Sequence, residues 1–272
     1  TLLVSRQLNY IRNKDIGFNK ENTMQMRLSD TTLLGSRSDA FRAALLQLPD
    51  IEGVGSASIL PGGGHSRNVH VIEGSKGEQI NQAINFAFVD LDFLNTMSIE
   101  VVRGRNFFKD SEKDLNEAFL VNEAATKSFG WGEEAIGKKI QFGAKVDDED
   151  EQVINGKVIG VVKDYNYNSL HQNIEPLVIL PYKDLLPQFI IRLKPGYTQE
   201  SIGKIQKVFE EFSPSQVFHY SFLDQTLDKL YESETKLSKL TYWFSGLSLF
   251  ISFMGLVALI SFLTEKRKKE FA

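Results

Sequence analysis

The side chains that could do metal or acid–base chemistry are few and scattered along this chain. Its four histidines are His65, His70, His171 and His219, and no two of them have the spacing of an H-E-x-x-H zinc motif. The chain contains no cysteine, which excludes thiol catalysis, disulfide bonds and cysteine-bound zinc. We therefore predict no catalytic residues, no metal site and no cofactor.

Three other segments have the composition of functional loops but lack the full motifs. The glycine-rich residues 61–66 are not followed by the Lys-Ser/Thr pair of a phosphate loop, and the acidic residues 147–151 lack the glycine of a calcium loop. Ser58, Ser66 and Asp164 have side chains that a hydrolase could use, but no motif supports this grouping, since the chain has no G-x-S-x-G sequence. The P-loop motif G-x-x-x-x-G-K-[ST] is also absent, so any ATP hydrolysis belongs to another protein.

An uncharged stretch over residues 242–263 is the most informative feature of the chain. As a helix it would be roughly 33 Å long at 1.5 Å per residue, enough to cross a hydrocarbon core of about 30 Å. A buried helix in a soluble protein is the alternative, and it would be unusual at this length. Four basic residues follow within 266–269, so the positive-inside rule puts the C-terminus in the cytoplasm and residues 1–240 outside.

Small residues recur every three or four positions in this stretch, which would place them on one side of a helix. Such a stripe lets another helix approach closely, and we predict that it is a packing face. The residues are Ser245, Ser248, Ser252, Gly255 and Ala258.

Apolar residues also keep helical spacing just before the uncharged stretch. They are Leu227, Leu230, Tyr231, Leu237 and Leu240. We expect one continuous stalk helix over residues 224–264 that joins an external domain to the membrane, and a break near Ser238 is the alternative.

Composition indicates a folded chain with no electrostatic attraction to nucleic acid. The 272 residues are 42% hydrophobic and 24% charged, and the net charge is −4. A mildly acidic exterior repels a phosphate backbone, so we predict no nucleic-acid partner. The chain begins with Thr1 and shows no signal peptide, and we interpret it as a fragment of a longer polypeptide.

Before residue 224, strand and helix patterns are mixed without regular alternation, which predicts an α+β fold. A short amphipathic helix is expected near the start, and Asn122 should cap a helix that follows a strand beginning near Ala118. The other predicted helices cover 41–48, 91–97 and 199–212. The other predicted strands cover 23–28, 51–59, 69–73, 84–89, 139–142, 152–164, 176–180, 189–193 and 217–221.

Several phrases of the sequence, taken in order, resemble the extracytoplasmic domain and following helix of MacB/FtsX-type ABC transporter permeases, in particular the long two-repeat type. They occupy residues 7–22, 121–140, 158–179 and 218–234, together with the uncharged stretch and the tail TEKRKKEFA. The resemblance implies a two-lobed extracytoplasmic domain on a stalk and one transmembrane helix in the bacterial inner membrane. Its implied divisions are an amphipathic helix 1–19, core lobe 20–115, inserted lobe 116–195, return to the core lobe 196–223, stalk 224–241, span 242–263 and cytoplasmic segment 264–272.

The resemblance also implies a function and partners. Members of this family are thought to transmit the motion of a separate cytoplasmic ABC ATPase across the bilayer, in export or extraction of a peptide, lipid, lipoprotein or antibiotic. By the family pattern, Arg267, Lys269 and Glu270 lie near the coupling segment that touches the ATPase. Membrane lipid, other transmembrane helices of the same permease or of a second copy, and a periplasmic adaptor or substrate are the further partners it implies.

A ligand-binding sensor is the main alternative. In that case the external domain would report occupancy through the same helix to a cytoplasmic signalling module. A hydrolase anchored by its C-terminus is a third reading, and it would require a His/Asp/Ser cluster in the fold.

Overall fold

The computed structural model describes residues 16–29, 33, 35, 37–64, 66–109, 111–143, 153–168, 173–230 and 232–270. The chain divides into a compact unit, Asp15–Leu227, and a second unit that includes Asp228–Ala272. The helix predicted near the start, His65, His171 and the acidic residues 147–151 lie outside the described residues.

The described part of the compact unit contains short helices and strands in mixed order. Its strands are β1 Thr23–Arg27, β2 Ile51–Ala57, β3 Ser66–Glu73, β4 Gln79–Asp90, β5 Val101–Gly104, β6 Ala118–Asn122, β7 Lys139–Phe142, β8 Ile154–Val162, β9 Leu177–Tyr182, β10 Gln188–Leu193 and β11 Ser221–Phe222. Its helices are α1 Ser38–Leu46, α2 Phe93–Met97, α3 Glu112–Glu117, α4 Glu123–Ser128 and α5 Gln199–Phe212, with a 3₁₀ turn at Gly132–Ala135. Helix α6, Leu223–Leu230, begins in this unit, and α7, Glu232–Glu270, belongs to the second.

The mixed class predicted from the sequence is confirmed, and local signals fixed several elements well. Strand β7 and helix α5 have the predicted bounds. Asn122 caps α4 as expected, because its Oδ1 accepts a hydrogen bond from Ala125 N at 3.0 Å. Thr198 and Ser201 form a reciprocal capping box at the start of α5.

The first part of the sheet is antiparallel. Its order is β11, β1, β10, β2, and β2 joins β4 through the single pair Ala57 and Val89. Helices α1 and α5 cover one face of these strands, where Met24, Phe41, Phe189 and Phe209 belong to one buried cluster. On the opposite face another cluster includes Ile190 and residues of α2.

The remaining strands close on themselves. From β4 the pairing runs through β3, β7, β8, β6 and β9, and β9 then pairs in parallel with β4 again. Strand β5 pairs with the far end of β8. The six-stranded ring surrounds a third cluster that includes Phe119, Ile140 and Trp131. Strands β3 and β4 come from the predicted core lobe, so strand pairing crosses the lobe boundary expected near residue 116.

The predicted last strand, residues 217–221, was wrong in position. Only Ser221 and Phe222 pair with β1, opposite Gln25 and Met24. Phe218 packs against Phe209 of α5 with ring centroids 5.4 Å apart, and Tyr220 packs on Phe218 at 5.2 Å. These aromatic contacts hold the segment beside α5, which overrides its alternating strand pattern.

His70 of β3 is buried among aromatic rings. Its ring stacks on Phe142 with centroids 4.2 Å apart and meets the edge of Phe86 at 5.6 Å. Its Nδ1 accepts a hydrogen bond from Gly143 N at 3.1 Å, which favours the neutral imidazole. Burial lowers the pKa of His70 from 6.5 to about 4.

We expect the free energy of unfolding to fall as the pH falls from 6.5 to about 4, because in this window the unfolded chain binds the proton that folded His70 excludes. The pKa shift corresponds to roughly 3 kcal/mol. The measurement is urea unfolding of the chain in detergent at several pH values, followed by the fluorescence of buried Trp131 with Trp243→Phe as the background.

His70→Gln should flatten this pH dependence, whereas His219→Gln, at an exposed position, should leave it unchanged. An equal slope in the wild type and in His70→Gln would contradict the assignment.

Candidate functional site

The two ends of the compact unit share one buried cluster. Ile16 and Phe18 stand at its beginning, and Leu223 and the partly buried Leu227 stand at its end. Tyr165, in the loop after β8, belongs to the same cluster and is 2% exposed. We call Ile16, Phe18, Tyr165, Leu223 and Leu227 the terminal anchor.

A glycine allows the first segment to lie directly against Tyr165. Gly17 has φ +81°, and a Cβ built on it would lie 2.7 Å from the Asp164 carbonyl oxygen and from Tyr165 Cα. Asn166 N donates to Ile16 O at 2.9 Å, and the Phe18 and Tyr165 rings meet edge to face at 6.4 Å. Both the positive φ and the close contact exclude a side chain at this position.

The anchor loop is also bound to helix α4. Asp164 Oδ1 accepts a hydrogen bond from Ala124 N at 2.9 Å, and Asp164 N donates to Glu123 Oε2 at 3.1 Å. Burial raises the pKa of Asp164, although the bond from Ala124 opposes this effect. Asp164 therefore has structural contacts that account for its partial burial.

At the other end, β1 is bound to the first turns of α6. Gln25 Nε2 donates to Ser221 Oγ at 3.0 Å and to Thr226 Oγ1 at 2.6 Å. Thr226 Oγ1 in turn donates to Phe222 O at 3.0 Å. These bonds attach the first turns of α6 to β1 and β11.

A buried arginine fixes the segment that follows Gly17. Arg192 of β10 is 5% exposed, and it donates from Nη2 to Asn19 O at 2.9 Å and from Nη1 to Ser98 Oγ at 3.0 Å. Desolvation lowers its pKa, and the charge of Glu52 opposes this. The guanidinium thus connects three separate segments of the chain.

In the second unit, α7 carries the predicted membrane span. Tyr242–Ser261 has a mean hydropathy of 2.0, and none of this window is buried. Its large apolar side chains are exposed, for example Trp243 at 74% and Phe250 at 61%. Ser252 Oγ donates to Ser248 O at 2.9 Å, which satisfies its hydroxyl within the helix.

The structure places most of the residues that the sequence predicts for helix packing, cytoplasmic coupling and the stalk on helices α6 and α7. Ser245, Ser248, Ser252, Gly255 and Ala258 lie on α7, as do Arg267, Lys269 and Glu270 in its last turns. Leu230 ends α6, Leu237 lies in α7, Leu240 is 54% exposed, and Tyr231 lies outside the described residues. Sequence reasoning missed Gln25, Gly17, Tyr165 and Arg192, of which only Gly17 carried a local signal.

Across the part of the chain that the structure describes, no group of three His, Asp or Glu residues could hold a metal ion. Ser58 donates no bond to a histidine there; its hydroxyl instead accepts one from Phe88 N at 3.0 Å. Asp164 is bonded to α4. The terminal anchor itself consists of apolar packing and hydrogen bonds.

We expect Gly17→Ala to lower the free energy of unfolding by about 2–5 kcal/mol, because it adds a positive-φ cost of about 1–2 kcal/mol and overpacking of about 1–3 kcal/mol. Gly77→Ala is the matched control, since Gly77 has φ +86° with open space around its Cβ position, so it should show the first cost alone. Equal losses in the two variants, measured by urea unfolding, would show that the contact with Tyr165 contributes nothing.

Comparison with known proteins agrees with this architecture. The family model of the MacB-like periplasmic core domain matches residues 5–206. The crystal structure of the periplasmic region of MacB from Actinobacillus actinomycetemcomitans has a TM-score of 0.52 at 14% identity, covering 80% of this chain and 97% of that one. The extracellular domain of the noncanonic ABC-type transporter YknZ from Gram-positive bacteria has a TM-score of 0.47 at 12% identity, covering 74% and 98%. A search of curated proteins finds no significant match.

The structural likeness to the MacB periplasmic region shows a shared fold. The family model covers well over half of the chain, including strands β1 to β10 and the loop that carries Tyr165. The resemblance predicted from the sequence is therefore confirmed, and the chain belongs to the family of MacB-like periplasmic core domains.

Proposed function

We propose that this chain is the external domain, stalk and first following span of an ABC transporter permease, and that it transmits ATP-driven motion across the bacterial inner membrane. ATP hydrolysis belongs to a separate cytoplasmic ATPase. The moved substrate is a peptide, lipid, lipoprotein or antibiotic. The chain itself is not an enzyme in this proposal.

The terminal anchor is the observation that carries the proposal. Residues from the beginning and the end of the compact unit, Ile16 and Leu223, are buried in one cluster, so a displacement of α6 changes the packing at both chain ends. Gln25 binds the first turns of α6 to the sheet, so the same displacement also acts on β1.

The second unit supplies the membrane part of the proposal. The apolar length of α7 suits a span, with residues 1–240 outside and residues 264–272 beginning the cytoplasmic segment. Its stripe of small residues contacts other transmembrane helices of the permease or of a second copy, and its exposed apolar side chains contact lipid. Arg267, Lys269 and Glu270 couple to the ATPase, and a periplasmic adaptor or substrate binds the external domain. Within that domain we keep the division into a core lobe at 20–115 and 196–223 and an inserted lobe at 116–195.

The topology can be tested with single cysteines, because the chain has none of its own. Lys76→Cys lies in the exposed turn between β3 and β4, and Lys268→Cys lies in the basic tail. In spheroplasts we expect a membrane-impermeant maleimide to label position 76 and to label position 268 only after the membrane is permeabilised.

The unsubstituted chain, which should not react, controls for background labelling. Labelling of position 268 in sealed spheroplasts, at the same rate as position 76, would contradict the proposed orientation.

Transmission can be tested by breaking the helix at Leu237. In the full-length permease reconstituted with its ATPase, a fluorophore on Lys76→Cys should respond to ATP. Leu237→Pro should abolish this response, because proline in a helix interior costs about 3 kcal/mol or more and kinks the helix. ATP hydrolysis should stay within twofold of the wild type.

Leu237→Ala is the control, since alanine keeps the helix, and its response should persist. An undiminished response in Leu237→Pro would refute transmission through this helix. If the full-length protein purifies with no ATPase and continues instead into a signalling module, the sensor alternative replaces the transporter.

A further inference from the structure

A cleft of about 390 Å³ lies beside the beginning of α6. The size is within the range of about 300–1,000 Å³ that is common for small-ligand sites. The polar side chains of Gln25 and Arg27 in β1 and of Gln188 in β10 line it, between the glycine-rich loop on one side and the segment that leads into α6 on the other. Its lining residues are Gln25, Met26, Arg27, Ile59, Leu60, Pro61, Gly62, Gly63, Gln188, His219, Tyr220, Ser221 and Thr226.

The charge of the cleft is unlike that of the chain as a whole. The chain has a net charge of −4, yet among the described residues that line the cleft none carries a carboxylate, while Arg27 supplies a positive charge. Arg27 makes no ion pair with any residue that the structure describes. A planar guanidinium in such a cleft suits a carboxylate, which it can bind with two parallel hydrogen bonds.

The backbone at Arg27 is also open to a ligand. Leu28 N donates to Pro187 O at 2.8 Å, so the even-numbered residues of β1 bond to β10 and Arg27 directs its N–H and C=O to the opposite edge. On that edge β11 pairs only as far as Ser221, opposite Gln25. If this pairing continued, His219 would lie opposite Arg27, but His219 lines the cleft and does not pair with Arg27. An extended peptide could add its own backbone hydrogen bonds here.

Apolar surface completes the fit to a peptide. Ile59 and the partly exposed Tyr220 line the same cleft as the polar groups, so a small side chain would find apolar contact within it. A cleft built only for a free inorganic anion would not need these residues. The terminal carboxylate, the backbone and a side chain of a bound peptide would thus each meet a complementary group in this cleft.

We propose that this cleft binds the C-terminal residues of an extended peptide, with Arg27 pairing its terminal carboxylate. Ser221 and Thr226 line the cleft and also hold Gln25, so an occupant would contact the groups that fix α6. The binding step stands on the cleft alone, whereas its transmission to α6 rests on the proposed function.

The test is calorimetric titration of the 272-residue chain in detergent with N-acetyl-trialanine, which has a free carboxylate, and with its C-terminal amide. We expect the acid to bind and the amide to bind at least tenfold more weakly. Arg27→Gln should weaken binding of the acid at least tenfold, and Arg27→Lys should weaken it less, since lysine keeps the charge but loses the two-bond geometry. Arg67→Gln is the matched control, because Arg67 is an exposed arginine of β3 outside the cleft, and its affinity should stay within twofold.

Three results would overturn the proposal: no binding of the acid to the wild type at millimolar concentration, equal affinity for the acid and the amide, or an unchanged affinity in Arg27→Gln. Sodium acetate binding as tightly as the peptide would overturn the peptide assignment. Because Arg27 is exposed, its variants should keep the wild-type unfolding curve, which separates lost binding from lost folding. None of these measurements depends on ATP, so their failure is distinct from failure of the transport proposal.

Discussion

The packing of Gly17 against Tyr165 determines how the chain enters the compact unit. Without a side chain at 17, the backbone can lie on the loop after β8, and the Asn166 hydrogen bond to Ile16 then fixes its course. Ile16 and Phe18 are thereby buried in the cluster that also contains Leu223. Fully burying one such side chain is worth about 1.5–3 kcal/mol, so the junction rests on several contributions of that size. Both chain ends of the unit depend on the same apolar contacts.

Buried polar groups also fix the relative positions of elements that pack through apolar contacts. Asp90 of β4 accepts hydrogen bonds from Arg42 Nη2 and from Ser56 Oγ, each at 2.7 Å, and Ser56 Oγ accepts one from Leu186 N at 2.9 Å. Burial raises the pKa of Asp90, while the charge of Arg42 opposes the increase. Such a group is costly to leave unpaired, since breaking a buried pair costs about 3–5 kcal/mol. The network therefore fixes the relation between α1, β2 and the chain before β10, as Arg192 does for the segment after Gly17.

Sequence reasoning succeeded where the signal is local. The bounds of β7 and α5 follow from alternation, amphipathic spacing and a capping box, and the uncharged stretch followed by a basic tail is evident without a structure. It failed where distant segments compete. Residues 217–220 have a strand pattern, but Phe218 packs on α5, and the bond from Gln25 to Thr226 joins residues 201 positions apart. The terminal anchor and the cleft depend on such contacts, so neither could be located from spacing alone. The closing of β9 onto β4 is likewise a parallel, long-range pairing with no local signature.

That closure has a consequence for the durability of the fold. In a flat sheet the outermost strands offer unpaired amides to neighbouring molecules, and proteins must protect such edges to avoid aggregation. Here each of the six ring strands has a partner on both sides along part of its length. Many small proteins that work outside the cytoplasm rely on covalent crosslinks for robustness, and this chain has no cysteine with which to form them. The closed hydrogen bonding protects these strand edges without any covalent crosslink.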